Sequence, residues 1–283
     1  MVVKEAVMRR SLIVFYATLY AATSALAQSP RPPITQTEDP APSQCIAMAQ
    51  AIPGATYANL TPAGSTAAKG EVTITYAGHS TYLIDTPGGV RIATDFSGRY
   101  GANPLPDIIT MNRAHSTHFT MTPDPGIAHV LPGWSEEGPA KHRLVVDDVY
   151  IRNVPTDIRR WDGGMVRDGN SIFVFEVAGL CIGHLGHLHH DLTDEHYAAI
   201  GRLDVLMTPV DGGMTQSLTN MSTIARRLYS SVILPMHRHS TPMSEFISLM
   251  GPGFATDYRP ERSITLSLGT LPRQPTIVVL DGV

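Results

Sequence analysis

Three apolar runs in this 283-residue chain end directly in histidines. Asp107-Ile108-Ile109-Thr110-Met111 leads to Arg113, His115 and His118. Leu180-Cys181-Ile182 leads to His184 and His187, and Ser231-Val232-Ile233-Leu234-Pro235 leads to His237 and His239. Short continuous apolar runs bounded by turn residues read as strands buried on both faces. Such strands belong to layered α/β folds, in which strand ends converge on one rim. The spacing therefore predicts that histidines from distant segments share one rim.

The rest of the chain agrees with that class. Val72, Ile74 and Tyr76 alternate with polar residues, as in a half-buried strand. Tyr82-Leu83-Ile84, the turn Thr86-Pro87-Gly88-Gly89 and a returning run over 90–95 make a second and third strand. A hairpin is expected over 172–182, turning at Gly179. A helix is expected after the N-cap Thr193, with Asp194 and Glu195 in its first turn. Segment 204–209 reads as a buried strand, and 219–229 as an amphipathic helix with Ile224 and Leu228 on one face. Two late strands fall near 264–268 and 276–280. Strands come first and then alternate with helices, which is the α/β class.

Imidazoles converging from separate strands suit a transition metal, and neutral nitrogen donors favour zinc over calcium or magnesium. Among the 12 histidines, His79 follows a strand end and is expected beside the site. His189 and His190 read either as further donors or as part of a solvated turn, while His129, His142 and His196 read as surface residues. Asp211-Gly212-Gly213 follows a strand end and reads either as pocket lining or, as is commoner for Asp-Gly-Gly, as a turn. The stretches 119–143 and 156–170, which carry Trp134 and Trp161, read as loops walling a pocket. No serine stands in a nucleophile-elbow setting, which argues against a serine hydrolase.

Arg9 and Arg10 precede an apolar run over 12–22, and Ser24-Ala25-Leu26-Ala27-Gln28 follows. This is the layout of a secretory signal, 1–27, cleaved after Ala27. The run is too short to span a membrane comfortably. A Pro-, Ala- and Ser-rich linker over 28–66 is expected next, with a short helix near 45–51, and then one domain over 67–283. The mature protein is expected to be periplasmic or secreted, with no membrane attachment. In that compartment Cys45 and Cys181 are able to pair, although sequence does not show whether they meet. A net charge of −4 and the lack of a basic block argue against nucleic acid as a partner.

Several segments carry a resemblance: Ile74-Thr75-Tyr76-Ala77-Gly78-His79-Ser80-Thr81, Pro87-Gly88-Gly89-Val90-Arg91-Ile92-Ala93-Thr94-Asp95, the His115/His118 segment, Gly183-His184-Leu185-Gly186-His187 and Ile233-Leu234-Pro235-Met236-His237. In this order, from about residue 72 onward, they resemble the metallo-β-lactamase-fold superfamily, in particular its branch related to ascorbate-phosphate lactonases. The resemblance implies an αββα sandwich with a metal site at the sheet edge. It also implies hydrolysis of esters, lactones, amides or phosphoesters by a metal-activated water.

The departures from that pattern are specific. The family's His-x-His-x-Asp-His loop reads Arg113-Ala114-His115-Ser116-Thr117-His118 here. The family's next histidine falls near Thr156-Asp157-Ile158, and its bridging Asp is His187. His237 is kept. The resemblance thus implies a remodelled site holding one zinc on His115, His118, His187 and His237. Arg113 would bind an anionic group of a small-molecule substrate and displace the second metal, with Asp157 or His184 relaying protons. Arg159 and Arg160 point to the same anionic chemistry. The competing expectation is a non-catalytic periplasmic binding protein that has lost the dinuclear site and takes an anionic ligand through Arg113.

Overall fold

The computed structural model describes residues 43–49, 70–113, 115–160 and 162–283. The expected signal peptide and most of the expected linker lie outside them, as does Trp161. In chain order the elements are α1 (Gln44–Ala49), β1 (Val72–Gly78), β2 (Thr81–Asp85), β3 (Arg91–Ala93), β4 (Ile108–Met111), β5 (His129–Pro132), β6 (Arg143–Val146), β7 (Val149–Arg159), β8 (Met165–Val177) and β9 (Leu180–His184). There follow α2 (Asp194–Ile200), β10 (Val205–Pro209), α3 (Leu218–Leu228), β11 (Val232–Met236), α4 (Met243–Met250), β12 (Ala255–Tyr258), β13 (Ser263–Leu266) and β14 (Thr276–Val279).

Two sheets face each other. One has the order β13-β1-β2-β3-β4-β5 and the other β12-β14-β11-β10-β9-β8-β7-β6. Ile74, Ile84, Ile92 and Ile108 of the first sheet pack between the layers against Phe173, Phe175, Ile182, Met207 and Leu234 of the second. The outer face of the second sheet carries Ile172, Val174, Leu206 and Ile233. Ile200, Met221, Ile224, Phe246 and Met250 of α2, α3 and α4 cover it. Over the first sheet, Ala93, Ile109 and Met111 are covered by Phe96, Leu105, Phe119, Ile127 and Trp134. None of these covering residues is helical, so the helical layer expected on that side is replaced by loops among the described residues.

The buried runs behave as their patterns demand. In β4, β10 and β11 every residue is buried, and each lies between parallel neighbours. β1 alternates buried and half-buried residues. Parallel pairing sets Met207 opposite His184 and Pro209 opposite Met236, so the ends of β9, β10 and β11 reach one rim.

Three expectations are corrected here. The stretch 156–170 is no loop, because β7 and β8 continue through it as one long hairpin, with only the tip between Arg159 and Met165 outside the strands. Pro155, Gly169 and a register shift between Thr156 and Ile158 disguise its alternation. The stretch 119–143 contains a strand, β5. His142 is half-buried rather than a surface residue, with Nε2 2.7 Å from the Pro132 carbonyl oxygen and its N–H donating to Asn153 Oδ1.

Cys45 and Cys181 form a disulfide, which joins α1 to β9 across 136 residues of sequence. Gln44 N–H and Ser43 Oγ also donate to the Glu176 carboxylate, and Arg202 N–H donates to Cys45 O. Both cysteines are buried, so α1 is docked in the core against α2 and the second sheet. Replacing both by Ala should destabilise the protein by about 2–4 kcal/mol, the usual range for a long closed loop. Thermal melts of the variant beside the parent check this, and an unchanged midpoint would show that the tether does not constrain the unfolded chain.

Candidate metal centre

Five imidazoles gather at the rim, carried by the segments after four different strands. His79 follows β1, His115 and His118 follow β4, His187 follows β9 and His237 follows β11. His237 N–H donates to the His79 carbonyl, 2.8 Å away, which stitches the two sheets together where their strands end. His79 and His237 take left-handed backbone angles, φ 56° and 51°. Non-glycine residues hold this conformation at a cost that surrounding structure must offset, and such strain concentrates at functional sites.

The donors fall into two triads, His79–His118–His237 and His115–His118–His187. Within each triad one ring nitrogen from each residue lies within 4.8 Å of those of the other two. His79 Nε2 stands 3.4 Å from His118 Nε2. Two nitrogens bound to one tetrahedral zinc at bonds of about 2.0–2.1 Å are separated by about 3.3–3.4 Å, so the spacing matches an edge of such a site.

Carboxylates stand behind two of these rings. His118 Nδ1 is 2.5 Å from Asp95 Oδ2, and His237 Nδ1 is 2.8 Å from Asp211 Oδ2, with all four side chains buried. Asp211 is itself fixed by donors from Gly213 N–H, Thr215 N–H and Thr215 Oγ. Burial alone would raise the Asp95 carboxyl, but His118 beside it holds the group at about 2. Burial likewise opposes Asp211, yet the hydrogen bonds from His237 and Thr215 hold it well below the usual carboxylate range. With Nδ1–H donated to an anion, each ring presents a lone pair on Nε2. Carboxylate–histidine couples orient metal ligands in this way.

The remaining donors are held neutral. Burial, reinforced by His237 and His118, pushes His79 down to about 3. Burial pushes His187 well below the usual imidazole range. His187 is also an orphan. Both its ring nitrogens are buried with no hydrogen-bond partner among the described residues. An unsatisfied buried polar group costs about 1–3 kcal/mol, and a cation in the cluster would relieve it. The residues present therefore fit a metal. Neither triad includes a carboxylate.

The structure brings His115, His118, His187 and His237 together as expected and adds His79, which the sequence reading had placed only beside the site. The other expected site residues are engaged otherwise. Arg113 turns outward, 49% exposed, and its Nη1 pairs with Glu136 at 2.8 Å. Its guanidinium is engaged by a carboxylate in solvent rather than held in the cavity. Asp157 sits in the β7–β8 hairpin, where its Oδ1 accepts the Asp168 N–H.

His184 is buried with both nitrogens occupied, Nδ1 accepting Gly186 N–H and Nε2 2.9 Å from the Ser80 carbonyl oxygen. It has no lone pair or mobile proton left for relay. The guanidinium of Arg159 is spent on the carbonyls of Gly213, Met214 and Thr215, and Arg160 pairs with Asp162. His189 bridges the Arg159 N–H and the Met214 carbonyl, which makes it a clasp between the hairpin and the loop after β10. Asp95 was missed as a site residue, and Asp211 was weighed as pocket lining but set down as more often a turn. The rule that found the histidines, polar groups just past strand ends, would have found both.

Gly186 explains how His187 is delivered. Its φ is +62°, and a Cβ there would lie 2.5 Å from both Asn112 Nδ2 and Asn170 Oδ1. Asn170 Oδ1 in turn accepts the His187 N–H. Gly186→Ala should therefore destabilise the protein and swing His187 out of the cluster. Retained zinc affinity in a folded Gly186→Ala variant would show that the loop position is not critical.

Comparisons with known proteins agree on the architecture. Residues 73–237 match the model of a family described as a β-lactamase superfamily domain. The structure aligns with a protein of Thermotoga maritima named as a Zn-dependent hydrolase of the metallo-β-lactamase superfamily. The identity is 26% and the TM-score 0.51, over 74% of this chain and 98% of that one. It also aligns with a protein of Parabacteroides distasonis named as a metal-dependent hydrolase, at 16% identity and TM-score 0.50, over 65% of this chain and 90% of that one. The second likeness shows the fold alone. No curated protein matches the sequence significantly.

Proposed function

Because this chain belongs to the β-lactamase superfamily, of the metallo-β-lactamase fold, we propose that it is an exported metal-dependent hydrolase with one zinc ion. Its substrates are small molecules of the ester, lactone, amide or phosphoester class. The carrying observation is the pair of couples Asp95–His118 and Asp211–His237, which aim carboxylate-backed imidazoles into one cluster. Bound zinc lowers the pKa of a coordinated water toward about 7 and polarises the scissile carbonyl or phosphoryl group.

Two features favour one ion, and neither is Arg113. His118 is common to both triads, and with Nδ1 committed to Asp95 it has a single lone pair to give. No carboxylate in either triad would offset repulsion between two dications. At an effective dielectric of about 20 that repulsion is about four times the ~4 kcal/mol of unit charges 4 Å apart.

The chain's own residues supply orientation and proton handling. Asp95 and Asp211 fix the tautomers of His118 and His237. His239 is exposed and lies beside the site, its Nε2 3.5 Å from His237 Nε2. Partial burial of the ring and the neighbouring His237 lower its pKa, which favours the neutral form that accepts the proton of the attacking water. With Arg113 paired to Glu136 in solvent, the binding-protein reading loses the residue it rested on.

Export is supported by the charged, apolar and small-residue regions at the N-terminus and by the buried disulfide, which suits an oxidising compartment. N-terminal sequencing of the exported protein should begin at Gln28. A retained N-terminus would overturn the export reading. For the enzyme reading, untagged protein should contain about one equivalent of zinc. It should hydrolyse a member of a panel spanning the four classes, with activity lost to chelator and restored by zinc. Metal-free protein that takes up no zinc, or loaded protein inert across the panel, would overturn it.

A further inference from the structure

We infer that the substrate carries an anionic oxygen group, a carboxylate or a phosphate apart from the bond that is cut, and that Arg238 binds it beside the histidine cluster. The inference rests on the hydrolase reading above and deepens it by naming the substrate's charge.

Five arginines are buried or half-buried among the described residues. Arg91, Arg152, Arg202 and Arg259 each pair with a carboxylate, that of Asp85, Glu176, Asp204 and Asp257 respectively. Arg238 is the fifth, and among the described residues it pairs with no carboxylate. Its Nη1 donates to the Thr241 carbonyl at 3.3 Å. Its Nε–H is buried with no hydrogen-bond partner. A charged donor taken from water without an acceptor is unfavourable. The acceptor that a guanidinium fork matches is an oxyanion, held by two parallel hydrogen bonds.

Arg238 directly follows the cluster residue His237. His237 N–H and Tyr76 OH both donate to the His79 carbonyl, at 2.8 and 3.0 Å, so the Tyr76 phenol adjoins the turn that bears a cluster imidazole. Burial pushes that phenol up to about 12, and the charges of Arg262 and Arg238 both oppose the rise, which sets both guanidinium groups near it. The Arg262 guanidinium lies 5.7 Å from the Tyr76 ring centroid and donates to the carbonyls of Tyr76 and Ala77. Two cations thus flank Tyr76, and among the described residues neither has a carboxylate partner. Such a pair raises the local concentration of anions. Arg262 is exposed and has spent donors on backbone, so it adds charge while Arg238 makes the bonds. The Tyr100 ring packs against Gly78, where a Cβ would come within 2.7 Å of it, and it is 38% exposed. It offers a flat wall to the carbon skeleton that joins the anion to the scissile bond.

The test compares the monomethyl and dimethyl esters of succinic, glutaric and adipic acids, pairs that differ by one carboxylate. Zinc-loaded parent should prefer at least one monoanionic ester over its neutral partner in kcat/KM by about 10–100-fold, the worth of a charge-assisted hydrogen bond. Arg238→Gln should lose that preference. Arg238→Lys should keep part of it, because the charge stays while the fork is lost, and it carries the test if Arg238→Gln does not fold. Arg262→Gln should lower the preference less. A purely structural role for Arg238 would slow both esters of a pair alike and leave their ratio unchanged.

A second readout uses metal-free protein and needs no turnover. Calorimetric binding of the preferred monomethyl ester should weaken about 10–100-fold in Arg238→Gln. Acetate and inorganic phosphate, added as competitors, rank the two oxyanions, and displacement by neither would overturn the inference. Equal kcat/KM within every pair in an active parent, or a preference that Arg238→Gln leaves intact, overturns the inference and spares the hydrolase reading. A loaded parent inert on every ester counts against the hydrolase reading, and the binding measurement then decides the anion site by itself.

Discussion

His118→Ala should leave the protein folded and unable to hold zinc, with affinity reduced at least a hundredfold. The estimate has a floor, because losing a partner behind a ligand already costs about 10–100-fold, and here the ligand itself is lost. The fold should survive because His118 sits in a turn, where its backbone bonds to His115 and Asn112 remain. Asp95 would lose its imidazole partner but keep Asn112 Nδ2. His237→Ala should act in the same direction, while His239→Ala should keep the metal and lose turnover. Metal analysis after dialysis against a weak chelator separates these outcomes. If His239→Ala releases zinc and His237→Ala does not, the assignment of roles after β11 is wrong.

Metal-free protein should lose stability steeply as pH falls from about 7.5 to 5.5. The cause is the set of imidazoles that folding keeps neutral. His184 is fully buried and its pKa is lowered by burial, and His187 is lowered further by burial and by His118. An unfolded chain protonates these rings near the ordinary value of about 6.5, whereas the folded chain does not. Below that pH the unfolded state binds more protons, so stability is present above about 6.5 and is lost on acidification. A buried ring held neutral well below the ordinary value, such as His187, loses about 1.4 kcal/mol of stability for each pH unit below about 6.5, and His184 acts in the same direction.

Typical domains hold only 5–15 kcal/mol in total, so the effect should be plain in urea melts of the apo protein at the two pH values. Asp95 and Asp211 do not confuse the result. Their lowered pKa values give stability that is lost only as pH falls below about 4. A midpoint that does not move between pH 7.5 and 5.5 would mean that these rings already carry protons in the folded state.

Sequence periodicity alone determined most of the framework. Runs such as 108–111, 205–209 and 232–236 are almost wholly apolar, with a single threonine in each of the first two, because parallel strands between two layers have no solvent face, and they appear as β4, β10 and β11. Thr193 and the acidic first turn marked the start of α2, and the capping box is present. The rule that histidines past strand ends meet at one rim located the cluster, since strand direction fixes where a chain emerges whatever its side chains do.

Only the tertiary structure decided where each side chain points. Arg113 shares a motif register with a metal ligand, yet it found Glu136, 23 residues away in sequence, and turned out. His184 sits two residues before Gly186 and spends both nitrogens on backbone, which no spacing rule reveals. Asp95 and Asp211 became site residues because sheet pairing set them behind His118 and His237, over separations of 23 and 26 residues. Local pattern reports the backbone path, because propensity and burial act within a few residues. Hydrogen-bond partners are chosen among groups that only the folded chain brings within 3 Å, and that choice separates a ligand from its neighbour.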